Sequence, residues 1–174
     1  MQIGGMSILI KLIADSPTSE YLNKAMQLFV FCVKQTPRNA MEMKRRHGYH
    51  LLGGILSGKS ALFSSELQAL LFDLTMHDDG NGFENSTITN IPAFQHLLLD
   101  FNVWKKADQD LVCCVFINMR QLVTKSTRRM DNITILRSLD AMEKFFNIVF
   151  DFEASPRLSE ICLAILGLEL LMLS

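Results

Sequence analysis

The sequence has little of the charge imbalance or long apolar stretch that would point to nucleic acid or to a membrane span. Its formal net charge is −1, so no overall field attracts nucleic acid or anionic lipid. The apolar stretches at residues 3–14 and 161–174 are both shorter than the roughly 20 residues of a membrane span. No basic region followed by a cleavage site opens the chain. We therefore expect a cytoplasmic protein.

Residues that favour β-strands are also scarce. There are only two tyrosines, and leucine, methionine, phenylalanine and isoleucine dominate the apolar content, which favours helices. At 174 residues, the chain has the length of one domain or of a short run of repeats. We therefore expect a single all-α domain over residues 1–174.

The cysteines and histidines lack the paired spacings of a zinc site, and the cysteines lack those of a disulfide framework. The cysteines lie in apolar helical segments, where buried, reduced thiols are expected. The residues concerned are Cys32, Cys113, Cys114, Cys162, His47, His50, His77 and His96. The sequence predicts neither a metal nor a cofactor.

Apolar residues recur every three or four positions, as on one face of a helix. Serine and proline mark helix starts at Ser16-Pro17 and Ser155-Pro156, and Ser65 with Gln68 resembles a capping box. The predicted helices run over about residues 3–14, 17–36, 38–56 with a break or kink at Gly48, from 65, 92–104, 108–123, 132–150 and from 156.

About eight helices joined by short turns predict an armadillo- or HEAT-like α-solenoid segment. A compact helical bundle is the alternative. The stretch ILGLELLML lacks the polar outer face that terminal capping repeats usually have. This favours a solenoid segment cut from a longer protein.

One long polar stretch, DDGNGFENSTITN at residues 78–90, interrupts the helical pattern. Its glycine, asparagine and aspartate content predicts a loop within the domain. Asp79, Asn81 and Glu84 suggest calcium, but Phe83 falls where an EF-hand loop needs an oxygen ligand. Calcium is therefore not expected, and the role of the loop stays open.

Two glycosylation acceptor patterns begin at Asn85 and Asn132. The modification requires the secretory route. In a cytoplasmic protein, both patterns are chance matches.

The stretch GGILSGKS matches the phosphate-binding pattern G-x-x-x-x-G-K-[ST] at Gly53, Gly58, Lys59 and Ser60. In a nucleotide hydrolase, backbone amides of this loop cradle phosphates, the lysine reaches the terminal phosphates and the serine holds a metal ion. The apolar run ending at Asp100 imitates the strand whose acid holds magnesium.

The sequence around GGILSGKS does not suit a phosphate loop, which must follow a buried strand. The preceding MEMKRRHGYHLL has helical composition, and the segment before Asp100 has a helical period. We expect a helix that ends at Gly58, with Lys59 near its negative end. A non-catalytic protein is favoured, and a hydrolase using Lys59, Ser60 and Asp100 is the alternative.

Two basic clusters supply the candidate contact residues for phosphate, acidic partners or lipid headgroups. They are Lys44, Arg45, Arg46, Arg128 and Arg129. Solvated helix faces are the simpler interpretation, and no interleaved aromatics suggest nucleic acid. A membrane-surface adaptor acting through Lys44, Arg45 and Arg46 is a third hypothesis.

Three patterns of apolar and aromatic residues follow one another between residues 39 and 111. The first comprises Met43, Gly48, Tyr49, Leu52, Leu56 and Lys59; the second, Leu62, Ser64, Leu67 and Phe72; the third, Phe94, Leu97, Leu98, Asp100 and Trp104. This region resembles the armadillo-like helical region upstream of the BEACH module in large BEACH-domain proteins, and the autophagy-linked FYVE branch is most similar. Gly53-Gly54 departs from the alanine and larger apolar residue that the family prefers.

The resemblance implies that GGILSGKS is a helix with a basic end and that no catalytic residues carry over. It also implies a very large scaffold that acts in vesicle trafficking, lysosome function or selective autophagy. Its partners would be proteins or other parts of its own chain. Peripheral association with endosomal, lysosomal or autophagic membranes would come through the parent protein.

Overall fold

The computed structural model describes residues 5–77, 84–150 and 155–171. Nearly all regular structure in these ranges is helical, which confirms the all-α prediction. The α-helices described are α1 Gly5–Asp15, α2 Ser19–Gln35, α3 Pro37–Arg45, α4 Gly48–Ser57, α5 Ser65–Thr75, α6 Ile91–Ala93, α7 Phe101–Trp104, α8 Gln109–Thr124, α9 Arg129–Ser138, α10 Ala141–Val149 and α11 Pro156–Leu171.

One very short strand precedes the polar stretch that was predicted to be a loop, and a second lies within that stretch. Strand β1, Met76–His77, pairs antiparallel with strand β2, Thr87–Ile88. Asp79 and Asn81, which were considered as calcium ligands, lie outside the described residues.

The chain divides into two compact units. The first comprises Met1–Thr75 and Pro92–Ala107, and the second comprises Met76–Ile91 and Asp108–Ser174. That the chain is a single domain remains a prediction.

In the first unit, α1 packs against α2 and α4, and α2 packs against α5. Trp104 is completely buried, and its indole Nε1 donates a hydrogen bond to the carbonyl oxygen of Leu97 at 2.8 Å. The Phe63 ring meets the indole edge-on, with centroids 5.1 Å apart. This buried cluster holds α7 and the preceding turn in place.

In the second unit, α8 packs against α9 and α11, and α10 packs against α11. The rings of Phe116 and Phe145 meet edge-on in its core, with centroids 5.9 Å apart. Asp108 caps α8 as predicted, because its side chain accepts hydrogen bonds from two backbone amides of the first turn. The Leu158 amide donates to Ser155 Oγ at the predicted start of α11.

Two predicted helix caps were wrong by one or two residues. Ser16 does not cap α2: its hydroxyl donates to the Leu12 carbonyl at 2.9 Å and so completes the end of α1. Thr18 caps α2 instead. At α5, the capping hydroxyl belongs to Ser64 and not to Ser65, because Ser64 Oγ accepts from the Leu67 amide at 3.1 Å.

Two helices that were predicted to be continuous are interrupted. The segment predicted over 92–104 contains a π-helical turn, Phe94–Leu98, and restarts after Asp100. The helix predicted over 132–150 stops because Asp140 has a φ of 52°, in the left-handed region that a right-handed helix excludes. The described chain therefore has more and shorter helices than predicted.

Candidate interaction surfaces

The stretch that matches a phosphate loop is mostly helical. Gly53 and Gly54 lie inside α4, and Gly58 lies at its C-terminal end. A β-carbon on Gly53 would lie 2.5 Å from the carbonyl oxygen of His96 in the π-helical turn. The first glycine of the pattern therefore permits close packing of α4 and does not form a phosphate-binding turn.

The lysine and serine of the pattern also have structural partners. Lys59 Nζ donates a hydrogen bond to the carbonyl oxygen of Ser16, at 2.7 Å, just beyond the end of α1. Ser60 is buried in a 3-10 turn, and its hydroxyl donates to the Ser57 carbonyl at 3.2 Å. Both side chains thus hold the end of α4 in place.

The acid assigned to magnesium in the hydrolase hypothesis has a capping role. Asp100 accepts a hydrogen bond from the Asn102 amide at 3.0 Å and caps α7. The segment before it is a π-helical turn and not a strand. The expected helical nature of GGILSGKS and its surroundings is therefore confirmed, and the geometry of a P-loop is not present in this stretch.

An open groove lies along α1 and α2 in the first unit. Its volume is about 290 Å³, and it is lined by Leu12, Tyr21, Ala25, Leu28, Asp15 and Lys24, among others. Leu12 and Leu28 are each nearly half exposed, and Tyr21 is more exposed still. We call this feature the α1–α2 groove. Its apolar floor and charged rim suit the side chains of a protein partner.

The first basic cluster lies on the surface at the end of α3. Lys44, Arg45 and Arg46 are all exposed. Arg46 pairs with Glu42 one turn earlier, at 3.5 Å. His47 follows with a φ of 53°, in the left-handed conformation that ends a helix. The structure thus places the predicted basic residues together on an accessible corner, and their contact role stays a prediction.

The second basic cluster begins α9 in the second unit. Arg128 and Arg129 are exposed. The Arg128 guanidinium is held by the Asp131 carboxylate, with Nε and Oδ2 2.6 Å apart. The pair neutralises part of this cluster, and its contact role likewise stays a prediction.

Asn132 has a structural role, although the sequence suggested only a chance glycosylation match at this position. Asn132 is completely buried, and its Oδ1 accepts from the Ile88 amide at 3.0 Å. Its Nδ2 donates to the carbonyl oxygens of Ser86 and Leu122, at 3.0 Å and 3.1 Å. We call this set of bonds the Asn132 clasp. These bonds hold strand β2 against the adjoining ends of α8 and α9.

Ser126 reinforces the clasp from the same junction. Its hydroxyl donates to the Ser86 carbonyl at 2.9 Å and accepts from the Arg128 amide at 3.0 Å. The Thr127 amide donates to the Glu84 carbonyl at 2.7 Å. The described end of the polar stretch is therefore well anchored, and the sequence analysis did not predict these bonds.

The cysteines are all free, but they differ in exposure. Cys113 and Cys162 are buried as expected, whereas Cys32 is half-buried and Cys114 is exposed, which corrects the expectation of four buried thiols. Burial raises the pKa of Cys162 to about 12. Burial also raises the pKa of Cys113, although a hydrogen bond with Ser155 opposes the shift.

Two histidines approach each other in the first unit. The rings of His50 and His96 meet edge-on, with centroids 5.1 Å apart. Over the residues that the structure describes, no three His, Cys, Asp or Glu side chains cluster as metal ligands would. In the same ranges, no helix has both the length and the apolar character of a membrane span.

Comparison with known proteins gives partial but consistent matches. The chain is 31% identical over 105 residues to Beige protein homolog 1 of Schizosaccharomyces pombe, which covers 60% of this chain and 4% of that protein. It is 25% identical over 171 residues to WD repeat- and FYVE domain-containing protein 4 of Mus musculus, which covers 97% of this chain and 5% of that protein. BEACH domain-containing protein A2 of Arabidopsis thaliana is 29% identical over 73 residues, with coverage of 42% and 2%.

The chain thus spans only 2% to 5% of the length of these relatives. No protein-family profile and no solved structure matches it. The relatives nevertheless come from a fungus, an animal and a plant, and they agree with the resemblance found in the sequence. The chain is therefore similar to one short segment of BEACH-domain proteins, which confirms the resemblance found in the sequence.

Proposed function

We propose that the chain is a non-catalytic scaffold segment of a large BEACH-type protein. It presents helical surfaces to other proteins or to other parts of its own parent chain. The proposal includes an armadillo- or HEAT-like α-solenoid arrangement upstream of the BEACH module, in the branch that resembles autophagy-linked FYVE proteins. It also includes a cytoplasmic role in vesicle trafficking, lysosome function or selective autophagy, at the membranes of those compartments.

The observation that carries the proposal is the match along 97% of the chain to a relative about twenty times its length. Packing between helices that are close in the sequence supports a repeat-like arrangement: in the first unit α2 lies against α1 and α3, and in the second α10 lies against α9 and α11.

The α1–α2 groove is the surface that we assign to a protein partner. Leu12 and Leu28 line it, and both are nearly half exposed although leucine favours burial. The nearby charges are already paired, Lys11 with Asp15 and Lys24 with Glu20. An apolar groove with a neutralised rim favours a partner that inserts apolar side chains, such as an amphipathic helix.

The test is quantitative affinity purification of the chain from cells, followed by binding measurements with the purified partner. We compare the wild type with Leu12→Ser and with Leu28→Ser. Leu51→Ser is the matched control, because Leu51 is also about half exposed but lies on α4 and does not line the groove. All three substitutions are at exposed positions, so the fold should be retained.

The proposal expects a partner, or another segment of the parent, whose affinity falls at least tenfold in the groove variants and is unchanged in the control. Retention of every specific partner by both groove variants would overturn the assignment of the groove. Magnesium-dependent hydrolysis of ATP or GTP by the wild type would overturn the non-catalytic role itself.

A further inference from the structure

An apolar side chain stands among basic ones on the exposed side of α3. Met41 is 63% exposed, so its apolar side chain projects into solvent beside the cations. Lys44 and Arg45 follow it three and four positions later, so all three side chains lie on one side of the helix. We call Met41, Lys44, Arg45 and Arg46 the α3 basic face.

The positive charge of this face is only partly neutralised. Glu42 is the one acid on α3, and it pairs with Arg46. The side chains of Lys44 and Arg45 form no ion pair or hydrogen bond with any residue that the structure describes. The local charge is therefore positive although the whole chain carries −1.

A structural explanation accounts for part of the face only. Lys44 and Arg45 lie in the last turn of α3, where cations stabilise the negative end of the helix. This stabilisation of the helix end concerns the two cations alone and gives no role to the exposed side chain of Met41. The opposite side of α3 already supplies the core contact through Met43, which is 2% exposed.

The combination of cations with one protruding apolar side chain is suited to an anionic lipid surface. Each Lys or Arg near such a surface contributes attraction, and an apolar side chain gains by entering the boundary between headgroups and acyl chains. A soluble anion would use the cations and leave Met41 in water. The flexible thioether side chain of methionine adapts readily to an irregular apolar environment.

We propose that the α3 basic face binds anionic membranes peripherally, with Met41 entering the interface and Lys44 and Arg45 contacting lipid phosphates. The contact lies in this chain itself and needs no other part of a parent protein. It is also separate from the α1–α2 groove, because none of its residues lines that groove. The proposal can therefore fail or succeed independently of the scaffold role.

The test is flotation of the purified chain with vesicles of phosphatidylcholine alone or mixed with phosphatidylserine. The wild type is expected to float only with phosphatidylserine vesicles, and binding should weaken as salt is raised. The double variant Lys44→Glu with Arg45→Glu should bind at least tenfold more weakly. Met41→Ser keeps every charge and should bind about threefold more weakly.

The matched control for net charge is Lys106→Glu with Lys125→Glu, at two other exposed lysines. This variant should keep most of the binding. A further variant, Arg128→Glu with Arg129→Glu, examines the second basic cluster. Circular dichroism of each variant verifies that the helices are retained.

Three outcomes would overturn the proposal. The first is absence of wild-type binding to anionic vesicles. The second is equal loss in the control or the Arg128/Arg129 variant, which would show a general charge effect or a different site. The third is unchanged binding by Met41→Ser together with full competition by soluble inositol phosphates, which would indicate a site for a free anion or an acidic peptide.

Discussion

The peptide carbonyl of His96 packs directly on Gly53. A β-carbon at residue 53 would lie 2.5 Å from that oxygen, whereas a β-carbon at Gly54 would meet nothing within 4 Å. Two adjacent glycines in one helix thus have opposite environments. The motif that suggested nucleotide chemistry contains a packing contact between α4 and the π-helical turn.

The first prediction concerns this contact. Gly53→Ala should lower the free energy of unfolding by about 1–3 kcal/mol, because the backbone of the π-helical turn must move. Gly54→Ala should raise it by up to about 1 kcal/mol, because alanine is the better helix former. Urea denaturation followed by circular dichroism measures both. Equal effects of the two substitutions would contradict the packing described.

The second prediction concerns Lys59. Lys59→Met should lower the free energy of unfolding by about 1 kcal/mol, because the hydrogen bond to the Ser16 carbonyl is lost. Lys106→Met, at an exposed lysine, should have almost no effect. Titration of wild type and variant with a fluorescent ATP analogue and magnesium should detect no saturable binding. Binding that the variant loses would restore the nucleotide hypothesis.

The third prediction concerns the Asn132 clasp. Asn132→Ala removes three hydrogen bonds and leaves buried partners unpaired, so the free energy of unfolding should fall by about 2–4 kcal/mol. Hydrogen exchange of the Ile88 amide should accelerate, because this amide loses its acceptor. Thr134→Ala, on the exposed side of the same helix, should change stability by less than about 0.5 kcal/mol. Unchanged exchange at Ile88 would argue against the clasp.

The fourth prediction concerns thiol reactivity. At pH 8, iodoacetamide should modify Cys114 rapidly and Cys162 only after unfolding, because Cys162 is buried and its pKa is raised to about 12. Mass spectrometry of digested samples identifies the modified sites. Cys114→Ser should abolish the rapid phase, and rapid labelling of Cys162 in the folded protein would contradict its burial.

The same raised pKa has a consequence for stability at high pH. The folded state holds the Cys162 proton more tightly than the unfolded state. The stabilisation that comes from this protonated thiol is therefore fully present below the ordinary pKa of 9.0. It is lost as the pH rises from about 9 towards 12. Between these values, wild type should lose stability more steeply than Cys162→Val in urea denaturation. Parallel curves for the two proteins would contradict the shift.

The fifth prediction concerns the two left-handed residues. His47 and Asp140 have φ values of 53° and 52° at the ends of α3 and α9, where glycine is favoured. His47→Gly and Asp140→Gly should each raise the free energy of unfolding by about 0.5–1 kcal/mol. Arg137→Gly, inside α9, should lower it by about 1 kcal/mol. If all three glycine substitutions lowered the free energy of unfolding, the left-handed backbone conformation would not control their effect on stability.

Much of the helical organisation could be predicted because its causes are local. The apolar spacing on α2 and α8 and the Asp108 cap depend on residues within one or two helical turns. The rejection of the phosphate loop depended on the helical composition before Gly53, which is also local. The likeness to BEACH-domain proteins rests on a resemblance over residues 39–111, and the comparisons confirm that resemblance.

Helix interruptions were missed because they arise from backbone conformations that neighbouring residues do not dictate. The residues around Asp140 favour a continuous helix, yet Asp140 adopts a left-handed conformation and α10 starts anew. The π-helical turn before Asp100 is similar, because it brings the His96 carbonyl against Gly53. Such choices depend on what packs against the segment.

The sequence by itself determined the all-α class, the approximate places of most helices and the helical nature of GGILSGKS, because each depends on short-range spacing or on residue identity. Tertiary structure alone decided which of two adjacent glycines is confined and which thiols are buried. It also decided that Asn132 binds Ile88, 44 residues away, and that Met41 remains exposed beside Lys44 and Arg45. The physical reason is that burial and long-range hydrogen bonds are properties of the assembled chain, which local propensity does not contain.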